Sequence, residues 1–221
     1  MTLPSSPRAI VFGWLERLLI GAGGLCLGVA LLGWGEAAVF QRVEDARLDR
    51  VLGEGAGAAA PSRPGAPSPA PPAEIQPRRA PAAPSGEAEE IIGRLLAPRL
   101  GLRVVVAEGV SSRTLRRAVG HIPGTALPWE DGNVGLAGHR DTFFWPLRDV
   151  QVGDAFSLVT PRGRFEYVVR SLDVVGPEEK GVLLPGDTPT LTLVTCYPFS
   201  VVGRAPSRLV VKAERVGADT L

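Results

Sequence analysis

The chain is poor in the residues that build metal centres: 221 residues hold only two cysteines and two histidines. None of these has C-x-x-C or related zinc spacing, which argues against a structural zinc. Charge of one sign is also missing. With 24 basic and 23 acidic side chains the formal net charge is +1, so the clustered basic face that nucleic acid requires has no support. Long helical patterns between the strand patterns are absent too, which excludes a parallel α/β sheet. Glycine (27) and proline (21) are plentiful by contrast, and they are unevenly spread.

Three regions differ in composition. Leu18–Gly35 contains no charged residue and, at about 1.5 Å per residue, spans roughly 27 Å, close to a bilayer's hydrocarbon thickness. Trp14 and Trp34 stand where interfacial aromatics lie. A cleaved signal peptide would have a shorter apolar core, and the one small-residue cleavage candidate, Gly35-Glu36-Ala37, is weak. Arg8 and Arg17 precede the run while charges in Glu36–Arg50 nearly cancel, so residues 1–17 are expected in the cytoplasm and the bulk outside. Residues 36–52 have helical spacing and are expected to carry the helix on into water. Residues 53–86 are Ala, Pro, Gly and Ser with almost no large apolar side chains; such a segment cannot offset its ordering entropy and is expected to be an extended linker.

A folded domain is expected over 87–217, with a short tail at 218–221. Short strand patterns at Leu102–Ala107, Val134–Ala137, Ala155–Thr160, Phe165–Val175, Leu191–Cys196 and Leu209–Ala213 are separated by Gly, Pro or Asp clusters. Thr114–Ala118 behind Ser111/Ser112, and Phe143–Arg148 behind Asp141, have the character of short helices. Many short strands and few helices predict a mainly β protein with a closed β-barrel.

Cys196 ends an apolar strand, because Pro198 cannot continue a central ladder. A lone cysteine on such a strand is most often an inert small hydrophobe. This one has no disulfide partner in the domain, since Cys26 falls in the apolar run, and an unpaired thiol in an exported domain favours a reactive role. His139 likewise follows an apolar strand and precedes a turn; His121, in Gly120-His121-Ile122-Pro123, competes with it, and spacing does not separate the two. Arg208 opens the last strand, where a guanidinium could face the cysteine and stabilise an oxyanion. Arg204 and Arg140 are its rivals by position.

The strings TLVTC-YPF, AGHRDTFF, GHIPGTALP and APSRLVV, in one chain, resemble sortases, and the class D members most. The likeness covers essentially Ile91–Val216, and the anchor and linker fit it. It implies that His139 is the catalytic histidine, Cys196 the nucleophile and Arg208 the catalytic arginine, leaving His121 a structural or pocket role. It further implies that Thr195 contacts the peptide and that Gly176–Pro189 walls a groove lined by Val182, Leu183 and Leu184. Glu178 and Glu179 are similar to the acidic residues with which some sortases bind calcium, but two adjacent glutamates are weak support, and no metal or other cofactor is expected. Trp129 and Trp145 depart from the family's pattern and bear on peptide preference.

The implied activity is a membrane-anchored cysteine transpeptidase on the outer face of a bacterial membrane. Its partners would be secreted proteins with a C-terminal sorting motif, cleaved after Thr, and an amine acceptor such as a wall peptide or a pilin lysine. Three other readings stand beside it: a stalked, non-catalytic peptide-binding module, a hydrolase using the same acyl-enzyme, and a wall L,D-transpeptidase. The last lacks its Ser-x-Gly-Cys context here.

Overall fold

A computed structural model describes residues 7–56, 90–179, 181–184, 186, 188–201 and 203–220. The expected linker 53–86 therefore lies almost wholly outside the described residues. The chain divides into two compact units, Met1–Phe40 and Gln41–Leu221.

Helix α1 (Pro7–Ala56) runs through both. Its Glu16–Leu52 stretch contains a window long and apolar enough to cross a membrane, with mean hydropathy 1.9. Strands β1 (Ile91–Ala97), β2 (Leu102–Glu108), β3 (Val119–His121), β4 (Asn133–Ala137), β5 (Ala155–Thr160), β6 (Gly163–Val175), β7 (Thr190–Tyr197) and β8 (Ser207–Thr220) close a barrel in the order β1-β2-β3-β4-β7-β8-β6-β5. The closed mainly β fold is the one expected, and closure removes the edges that short strands would otherwise expose.

Inward-facing Leu95, Val104, Val106, Leu136, Phe156, Leu158, Leu191 and Leu193 form the core, each no more than 2% exposed. Helix α2 (Ser112–Arg117) sits between β2 and β3 and is capped as its sequence suggests: the Ser111 hydroxyl accepts from the Thr114 amide at 3.1 Å. The expected helix at Phe143–Arg148 is a 3₁₀ turn at Trp145–Asp149; Pro146, tolerated only in a helix's first turn, fits that short form.

From Gln41 onward α1 packs on the barrel instead of extending free into water. Arg94 on β1 is buried, and its guanidinium is held by helix groups: the Asp45 carboxylate, Asp49 Oδ1 at 2.8 Å and the Asp45 carbonyl at 2.8 Å. Arg103 Nε adds a bond to Asp45 Oδ2 at 2.9 Å. Strand β2 meets β3 only from Val106, so the Val105 amide needs another acceptor; it donates to Gln41 Oε1 at 2.9 Å, while Gln41 Nε2 donates to the Arg117 carbonyl at 2.6 Å. Leu48 completes the contact at 5% exposure.

Candidate active site

Barrel order places β7 between β4 and β8, and the site is built at one end of these three strands. Strands β4 and β7 are parallel, with Ala137 opposite Val194. One residue on, the Gly138 amide donates to the Val194 carbonyl at 3.2 Å and Thr195 Oγ1 donates to the Gly138 carbonyl at 2.8 Å. His139 therefore leaves β4 at the level where Cys196 ends β7. On the other side β8 runs antiparallel, and Arg208 is the register partner of Cys196. The three residues implied by the family resemblance thus lie side by side, Cys196 in the middle. His139 is exposed, and Cys196 and Arg208 are half-buried, so solutes can reach them. Arg208 Nη1 donates to the carbonyls of Ser207 (3.0 Å) and Ala205 (3.3 Å), which anchors the guanidinium beside the end of β7.

Gly138 makes this junction possible. A Cβ there would stand 2.7 Å from the ring of Phe144, a buried core residue. Only a glycine lets the turn carrying His139 lie so close to the core.

Thr195, the expected peptide contact, is 2% exposed and its hydroxyl serves the β4–β7 junction. Strand alternation turns neighbours to opposite faces, so the residue before an outward Cys196 points inward. Val182 and Leu183 are half-buried and Leu184 is exposed, on and after a 3₁₀ turn Gly181–Leu183. Asn133 pins that turn over β4, donating from Nδ2 to the Val182 carbonyl at 3.2 Å and the Leu184 carbonyl at 3.4 Å, while its Oδ1 accepts from Thr192 Oγ1 at 2.7 Å. A cleft of about 280 Å³ opens here, bounded by Thr125, Ala126, Glu130, Asn133 and Leu183 among others. From this cleft to His139 is six residues of β4 and its continuation, about 20 Å. Leu183 thus borders the cleft at one end of β4, and His139 and Cys196 stand at the other.

His121 stands apart from the thiol. It is buried, with Nδ1 2.7 Å from Glu108 Oε2 and Nε2 3.0 Å from the Ala126 carbonyl. Burial opposes its charge, but the Glu108 hydrogen bond, the Ala126 carbonyl and the charges of Glu108 and Glu130 outweigh it and raise its pKa. With acceptors at both nitrogens, the doubly protonated ring fits best, and it steadies the 122–132 loop that borders the cleft. Of the rival arginines, Arg204 is exposed and Arg140 is buried beneath the site with the Asp141 carboxylate. Among the described residues no group of His, Cys, Asp and Glu could hold a metal ion.

Asn133 and Thr192 were not singled out by sequence reasoning. A lone Asn at the start of an apolar strand was the available signal, and its partner is 59 residues away.

The sortase domain family model matches residues 95–216. The chain is 33% identical over 131 residues to Sortase D of Bacillus subtilis (strain 168), covering 59% of this chain and 66% of that protein. It is 37% identical over 120 residues to Sortase SrtE1 of Streptomyces coelicolor, covering 46% of this chain and 34% of that one. The chain thus spans just under two thirds and one third of these curated relatives. Among solved structures, a Clostridium perfringens Sortase D5 transpeptidase superposes with a TM-score of 0.53 at 32% identity, over 57% of this chain and 79% of that one. Sortase A from Corynebacterium diphtheriae does so with 0.55 at 29%, over 61% and 64%. The likeness to Sortase D agrees with the class D character of the motifs, and with more than half of its length matched by the domain model the chain belongs to the sortase family.

Proposed function

We propose that this chain is a membrane-anchored cysteine transpeptidase that cleaves a C-terminal sorting motif of secreted proteins after Thr and passes the acyl group to an amine. The observation that carries this is the placement of Cys196 on β7, flanked by His139 after β4 and Arg208 on β8.

In the first step the Cys196 thiolate attacks the carbonyl carbon of the Thr. The carbonyl oxygen takes the charge, and the guanidinium of Arg208, register partner of Cys196 on the neighbouring strand, would stabilise it. As the C–N bond breaks, protonated His139 gives its proton to the departing amine, leaving a thioester on Cys196 and a neutral imidazole. In the second step an acceptor amine attacks the thioester, His139 takes up its proton, and the sulfur leaves as thiolate. The product is a new amide, and the enzyme returns to its starting charges. The donor's apolar residues would run from Cys196 toward Leu183 and the cleft. The apolar window in α1 supports anchoring, with the barrel on the outer face.

Full-length protein in detergent, given a panel of Leu-Pro-x-Thr-type peptides and an amine acceptor, is expected to release the C-terminal fragment and form joined product. Cys196→Ala is expected to form neither. Release without joining would favour the hydrolase, and no cleavage of any peptide by folded protein would favour the binding module.

A further inference from the structure

Arg140 follows His139 directly, and only 3% of its side chain is exposed. A guanidinium out of water needs partners on every side. Its Nε and Nη2 donate to the Asp141 carboxylate at 2.8 and 3.2 Å, and its Nη1 donates to the Pro198 carbonyl at 2.7 Å. Pro198 lies two residues beyond Cys196. The bond therefore joins the turn that carries His139 to the turn that leaves the sulfur, outside the β4–β7 ladder.

We propose that Arg140 is a positioning residue of this site: its Nη1–Pro198 bond holds the turn after Cys196 against the turn carrying His139. This rests on Cys196 being the nucleophile. Arg140 does not touch the substrate; it acts through the backbone.

Full-length protein is tested as Arg140→Gln and Arg140→Lys. Two readouts are taken: amide hydrogen exchange of peptides covering 139–144 and 196–200, and kcat and KM for peptide cleavage. Arg140→Gln is expected to exchange at least tenfold faster in both peptides, with the rest of the barrel unchanged. Its kcat falls at least tenfold while KM changes less than twofold. Arg140→Lys keeps the charge but not the planar fork, so it too loosens both peptides and lowers kcat. A folded Arg140→Gln protein with wild-type exchange in both peptides overturns the proposal. If Arg140→Gln does not fold, Arg140→Lys decides: faster exchange with lower kcat supports the proposal, and unchanged exchange overturns it. Should wild type cleave no peptide, the transpeptidase reading fails, yet the exchange of Arg140→Gln and Arg140→Lys still judges Arg140.

Discussion

Individual side chains in this protein divide into those that face the site and those that hold it. Thr195 and Cys196 are neighbours with opposite duties: one hydroxyl is spent on the Gly138 carbonyl, and one thiol sits half-buried at the site. Gly138→Ala should lower activity well before it lowers stability. The new methyl meets Phe144 at 2.7 Å, and its relief moves the His139 turn; kcat measured beside Tm checks this. Tyr167 shows the reverse case. Its hydroxyl is buried without a hydrogen-bond partner among the described residues, and burial pushes its pKa up to about 12. Tyr167→Phe removes that orphaned group and should stabilise the fold by about 1 kcal/mol, readable as a higher Tm. His121 makes stability depend on pH. Its folded pKa is raised above the usual 6.5, so its contribution is fully present below about 6.5 and is lost as pH rises through the raised value. Denaturation of wild type and His121→Gln should differ most at low pH and converge at high pH.

At the level of elements, the end of α1 is part of the folded domain. Among the described residues the charged partners of Arg94 are Asp45 and Asp49, and burying a guanidinium without them is costly. Asp45→Ala should destabilise by about 2 kcal/mol, below the range for fully buried pairs because Asp45 is 24% exposed. A piece beginning at Glu87 should melt at a lower temperature than one beginning at Gln41; calorimetry on the two compares them directly. This contact was hidden in the sequence, because Asp45 and Arg94 are 49 residues apart and nothing local links them. Strand β7 was legible for the opposite reason: Leu191 and Leu193 alternate, and Pro198 marks its end. Strands β1 and β3 were not. Buried Arg94 breaks the apolar pattern of β1, and β3 is three residues long, too short for any period to show.

For the whole molecule, the barrel order is the decisive fact. The sequence motifs name His139, Cys196 and Arg208, but only the parallel pairing of β4 with β7 and the antiparallel pairing of β7 with β8 set them side by side. Strand order arises from contacts across the whole domain, so residue spacing alone left His121 and His139 equivalent. The fold separates them: His121 is closed in by Glu108 and Ala126, and His139 is open at the end of β4. The most direct test of the account is a mass spectrum of the protein quenched in acid after mixing with a sorting-type peptide. A mass increase equal to the acyl fragment ending at Thr is expected, mapped to the Cys196 peptide and absent in Cys196→Ala. An adduct elsewhere, or cleavage that persists in Cys196→Ala, would contradict it.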